Sequence, residues 1–159
     1  MHSPVCPPGG SRHLTDGEIA LARGIFGGAL ALEKVEVRRR KWFAFQPRRT
    51  VMAPMGHIHF HPAAPHYHDD FAQAPPQLQG LLIHELVHVW QTQVHGRWWL
   101  PLMRHPFCRY RYRLVPGRRF TDYGIEQQAE IVRHVFLGRI GHPDPAAPES
   151  AALEAALPF

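Results

Sequence analysis

The chain has 159 residues, 45% hydrophobic and 19% charged, which excludes a disordered polymer and suits one domain burying roughly two-thirds of its unfolded surface. Its net charge of +5 comes from 16 Arg against 2 Lys; no reader motif accompanies that charge, so no nucleic-acid partner is expected. No apolar run reaches about 18 residues, so no helical membrane span is expected, and no charged start followed by an apolar core marks a signal peptide, so synthesis in the cytoplasm is expected.

Residues 1–13, with the stretch PVCPPGG, read as a flexible leader, ahead of a domain over 14–141 and a tail over 142–159. Cys6 and Cys108 are expected as free thiols in a reducing compartment. LTDGEIALARGIFGG opens a helix: Thr15 is its N-cap, Glu18 closes a capping box, Leu14 and Ile19 form the staple, and Gly27 with Gly28 stops it. EKVEVR alternates, with Val35 and Val37 on one face, and predicts a short strand. RRKWFAFQPRR (39–49) reads as a solvated loop anchored by Trp42 and Phe43, with a basic groove wall as the alternative.

TVMAPMGHIHFH predicts a hairpin with strands near 50–53 and 57–61, where Ile58 and Phe60 face one way and His57, His59 and His61 the other. A helix of about 76–95 follows, with Leu78, Leu82, Leu86 and Val89 as its apolar stripe, and then an irregular segment. CRYRYRL alternates and predicts a half-exposed strand turned by VPGRR. The last clear helix covers about 124–138; the tail has room for one short helix and is given no function.

The helix over 76–95 carries HELVH. Residues four apart share a helix face about 6 Å apart, so His84 and His88 can each reach one zinc ion. Glu85 is rotated about 100° from His84, beside the metal rather than on it, where it can take a proton from zinc-bound water and pass it to a leaving amine. A shuffled chain of this composition would show the motif roughly one time in twenty, so the flanks decide. Leu81, Leu82 and Ile83 before it, and Leu86 and Val87 within it, suit a helix buried behind a metal site. A catalytic zinc needs a third protein ligand and an open fourth position. His95 is excluded, because seven residues beyond His88 is about 10 Å of axial rise. IEQQAEI places Glu126 and Glu130 on one face of the last helix, with His134 a turn further on; by itself such a carboxylate pair is usually a solvated face.

The E-x-x-A-E spacing resembles the third-ligand helix of gluzincins, whereas Gln91 and Val94 stand where a metzincin has Gly and His. That resemblance implies Glu126 as the third zinc ligand and Glu130 as the partner that fixes a ligand histidine. More broadly, LTDGEIALARGIFG, MAPMGHIHFHP, IHELVHVWQ and YGIEQQAEIVRHVF, in this order over about residues 14–138, resemble the small Vgr-related proteins, zincin-like metallopeptidases of bacterial type VI secretion and Rhs/VgrG loci. The resemblance implies a compact α+β zincin-like domain with an HExxH helix, a second ligand-bearing helix and a small antiparallel sheet. It also implies one Zn2+ per chain, a peptide or protein substrate, a VgrG/Rhs-type component or an immunity protein as partner, and export by type VI secretion.

The strand of alternate histidines can border a cleft or hold a second metal; side chains about 6.5–7 Å apart along a strand favour the cleft, with His57 and His59 in it. By the zincin resemblance that strand would pair with substrate. Hydrolysis also needs a donor for the developing oxyanion. Tyr110, Tyr112, Tyr123 and His134 are the candidates, and Tyr123 and His134 rank first because Tyr123 stands one turn before Glu126 and His134 two turns beyond it. Tyr110 and Tyr112 also stand as cleft residues. The leading expectation is a zinc metallopeptidase. The rivals are a zinc-stabilised accessory module that cleaves nothing and a hydrolase of peptidoglycan stem peptides.

Overall fold

A computed structural model of the chain describes residues 5–159. Among them, three short strands, β1 (Ser11–His13), β2 (Glu36–Arg38) and β3 (Ile58–His59), form one sheet in the order β1-β2-β3. Five α-helices accompany it: α1 (Asp16–Phe26), α2 (Pro76–His95), α3 (Trp99–Met103), α4 (Ile125–Arg139) and α5 (Ser150–Ala156). The α+β class is as expected. The sheet is mixed rather than antiparallel, because β1 pairs antiparallel with β2 but β3 pairs parallel with it, Val37 opposite Ile58.

The expected hairpin over 50–61 is reduced to one antiparallel bridge, Met52 to His59. Its second arm is drawn inward by Ile58 and Phe60, which are buried with Val35, Val37, Phe71 and the apolar face of α2. The first arm, 50–53, is left on the outer side.

The leader expectation also needs correction. Residues 1–4 lie outside the described part, but Cys6 is buried and its N–H donates to Asp69. The next residues run into β1, and the Arg12 guanidinium donates to both carboxylate oxygens of the fully buried Glu18 at 2.8 Å. Glu18 accepts the Phe71 N–H at 2.8 Å as well, and the capping box of α1 forms as its sequence dictates, Thr15 Oγ1 accepting the Glu18 N–H and Glu18 the Thr15 N–H. The leader is therefore structural from Cys6 onward, because a buried carboxylate needs the guanidinium it carries.

The two helices that matter for chemistry are α2 and α4. Pro76 starts α2 at a position where its missing N–H costs nothing, and Gly96, at φ +95°, ends it. α2 is buried all round from Leu82 to Thr92. At Gly80 a Cβ would meet Leu137 of α4 at 3.2 Å, so the absent side chain lets the two backbones approach. The apolar stripe of α4, with Ile131, Val132, Val135 and Phe136, seals the contact. The tail is packed too: Leu153 of α5 is buried, and the Phe159 ring lies 4.9 Å from Phe26 and 5.2 Å from Trp90.

Three further expectations fail. The segment after α2 is not wholly irregular but folds into α3. Residues 108–114 keep their alternation, with arginines outward, but pair with no strand. Trp42 and Phe43 do not anchor their loop, being 40% and 41% exposed; buried Gln46 does, accepting the Trp42 N–H and donating to the carbonyls of Thr50 and His59.

Candidate metal centre

HELVH turns its histidine pair towards α4. Nε2 of His84 and Nε2 of His88 each stand 3.1 Å from the same oxygen, Oε2 of Glu126. The ligand atoms of the three residues lie within 4.8 Å of one another, and all three residues are buried. Two atoms held about 2.0–2.1 Å from one zinc at the tetrahedral angle are about 3.3 Å apart, so both measured edges suit such an ion.

The hydrogen bonds behind the rings test that fit chemically. His84 Nδ1 lies 2.7 Å from Glu130 Oε1, and His88 Nδ1 lies 2.9 Å from Gln91 Oε1. The Gln91 amide is oriented by its own donations, to the Ile125 carbonyl and to Gln128 Oε1, and Gln128 in turn donates to the Tyr123 carbonyl. Both Nδ1 atoms therefore face acceptors and must carry protons, which fixes the tautomers from the network. A neutral imidazole then presents a bare lone pair at Nε2. Two lone pairs and a carboxylate oxygen converge, and only a cation satisfies all three, so the residues fit a metal.

In the metal-free chain that cation is a proton. Burial pushes the His84 imidazole down, but hydrogen bonds to Glu126 and Glu130 outweigh it and raise its pKa to about 9. Burial likewise pushes Glu126 up, and its contacts with His84 and His88 hold it well below the usual carboxylate range. Glu130 is lowered as well, its burial offset first by His84.

A cavity of about 560 Å3 opens on the centre, lined by His84, Glu85, Glu130, Tyr110, Arg104 and the outer chain at Arg49 to Val51. Glu85 is 5% exposed, and its Oε2 has no hydrogen-bond partner. A buried carboxylate oxygen left so is costly unless something at the site uses it. Tyr110 stacks on the His84 ring at 6.1 Å and 16°.

Sequence reasoning missed Arg104, whose guanidinium lies 3.1 Å from Glu126 Oε1 without hydrogen-bond alignment. It also missed the role of Gln91, although its place three residues after His88, on the same helix face, was a usable signal.

The structure therefore brings together His84, His88, Glu126, Glu130, Glu85 and Tyr110, and separates the remaining candidates. Tyr123 is buried with its hydroxyl accepting the Val115 N–H at 3.0 Å, and it does not line the Glu85 cavity. His134 is not there either: its Nδ1 is hydrogen-bonded with the Tyr112 hydroxyl, and its Nε2 lies 3.7 Å from Glu130 and 3.8 Å from Asp144. Tyr112 is thereby spoken for.

His57 and His59 do not border the cavity. His57 Nδ1 accepts the Glu36 N–H, while buried His59 has Nδ1 facing the Arg40 carbonyl, and burial lowers its pKa to about 4. The reason is the inward shift of β3, which leaves the outer arm of the bridge, not the histidine arm, along the cleft.

These features define a class: a small α+β domain whose two packed helices aim two imidazoles and a carboxylate at one point. No protein-family model matches the chain. The effector domain of Pseudomonas aeruginosa VgrG2b superposes on it with a TM-score of 0.75, covering 99% of this chain and 86% of that one at 32% identity. The type VI secretion system spike protein VgrG2b of Pseudomonas aeruginosa is 41% identical over 133 residues, 79% of this chain. This chain spans 13% of that spike protein's length. It belongs to the family of the VgrG2b effector domain.

Proposed function

We propose that the protein is a zinc metallopeptidase acting as an effector of type VI secretion. His84, His88 and Glu126 would hold the ion, with Glu130 and Gln91 fixing the two rings. Zinc bound there supplies a Lewis acid that polarises a carbonyl and lowers the pKa of water towards about 7. Glu85 is the general base: its free carboxylate oxygen takes a proton from the attacking water and returns it to the departing amine. Tyr110, half exposed against His84, takes the place of Tyr123 and His134 as the oxyanion donor. Arg104 holds the free oxygen of Glu126 in a charge contact, which leaves one oxygen for the metal.

The observation that carries the reading is the unpartnered Glu85 oxygen beside the three-ligand cluster. A zinc-stabilised accessory module needs the ligands but gains nothing from a buried base with no partner. VgrG2b is a spike protein of a type VI secretion system, and the similar solved structure is its effector domain, which supports delivery by that route and a VgrG-type partner. Purified protein should carry about one zinc per chain, and Glu85→Gln should keep the zinc while losing peptide-bond hydrolysis by about 100-fold or more. Equal activity in wild type and Glu85→Gln refutes the mechanism, and zinc with no hydrolysis of proteins or sacculi leaves the accessory module standing.

A further inference from the structure

A second cavity, about 580 Å3, abuts the centre from the other side of Arg104, reaching His88 at its inner end. Most of its wall comes from residues that the mechanism does not use. Trp42, Phe43, Met52 and Pro54 form one side, and Leu100 and Pro106 the other. Its polar residues, Thr50, His88, Arg104 and His105, are outnumbered by these and by Pro47, Ala53 and Pro101. Both cavities share Thr50 and Arg104, so a chain lying along residues 49–54 passes from the Glu85 cavity directly into the apolar one. The volume falls within the range of about 300–1,000 Å3 typical of sites that enclose small organic groups.

From this juxtaposition we infer that the apolar cavity is the specificity subsite: it takes a bulky apolar or aromatic side chain of the substrate, next to the bond that the centre cleaves. The inference rests on the metallopeptidase reading and adds the substrate class. The physical argument is differential. An aromatic side chain loses its water contact on entering walls of Trp, Phe, Met, Leu and Pro, whereas an Asp or Lys would be desolvated with few polar partners. The energy of seating that group holds the neighbouring carbonyl at the centre, so it is felt in kcat/KM as well as in binding. Trp42 and Phe43, 40% and 41% exposed, offer aromatic surface in the wall to an entering ring.

The test has two arms. Met52 gives a methyl NMR signal inside the cavity. In the zinc-loaded protein, N-acetyl-phenylalanine amide should shift that signal saturably, N-acetyl-aspartate amide should not, and Phe43→Ala should weaken the first effect several-fold. In the second arm, a mixed peptide library should be cut with about a 10–100-fold preference for large apolar residues at one position flanking the scissile bond. Met52→Lys should abolish that preference while circular dichroism remains unchanged. An unshifted Met52 methyl, or cleavage indifferent to apolar residues, overturns the subsite while leaving the metallopeptidase reading intact. Saturable binding in a protein that cuts no peptide overturns the metallopeptidase reading and, with it, the assignment of this cavity to a substrate side chain.

Discussion

Glu130 accepts the Nδ1 proton of His84 at 2.7 Å, while the opposite nitrogen of the same ring faces Glu126 at 3.1 Å. One imidazole thus links two carboxylates four residues apart on α4, one placed to ligate and the other to orient. Glu130→Ala keeps all three candidate ligands yet should weaken zinc binding by about 10–100-fold. Glu130→Gln, which keeps an acceptor but no charge, should fall between. Chelator competition measures both, and unchanged affinity in Glu130→Ala contradicts the orienting role.

Gln91 does the same for His88 through a neutral amide. Gln91→Leu strands the His88 Nδ1–H and removes donors from Ile125 and Gln128. It should cost about 1–3 kcal/mol of stability in urea unfolding, since buried polar groups lose their partners. It should also weaken zinc binding.

The metal-free protein should show a pH window. His84 is raised from 6.5 to about 9, so its contribution to stability is complete below 6.5 and lost as pH rises towards 9. Glu126 is lowered from 4.5, so its contribution is present above 4.5 and lost as pH falls below it. The stability of chelator-treated protein should therefore fall on both sides of about pH 5–6.5. Zinc should flatten the alkaline decline, and its uptake at pH 7 should release protons. A flat apo profile between pH 6.5 and 9 counts against the His84 contacts.

Arg12 and Glu18 make a buried ionic contact away from the centre. Arg12→Met leaves Glu18 uncompensated and should destabilise by about 3–5 kcal/mol. Pairing it with Glu18→Met should recover part of that loss, read as a shift in the denaturation midpoint. A loss below about 1 kcal/mol would mean that the chain before α1 contributes little.

Much of this site was legible beforehand. HELVH fixes two imidazoles on one face because helical periodicity is local, and EQQAE sets two carboxylates on another face for the same reason. The alternating histidines misled, because period-two alternation tells which side chains share a face but not which arm of a hairpin lies outermost. Burial of Ile58 and Phe60 took that arm inward and left the arm from Thr50 to Ala53 on the cleft. Spacing in sequence from Glu126 favours Tyr123 and His134, whereas packing commits the Tyr123 hydroxyl to Val115 and His134 to Tyr112.

The sequence by itself determined the three long helices α1, α2 and α4, the capping box of α1 and the spacing of every candidate ligand, since each depends on neighbours within one or two turns. Tertiary structure alone decided that residues 42 and 38 positions apart would meet at one carboxylate oxygen. It also decided that Arg104 would stand over that carboxylate and that Cys6 and Arg12 would belong to the core. Those are contacts between segments distant in the chain, set by how apolar faces pack together, and no local pattern encodes their separation.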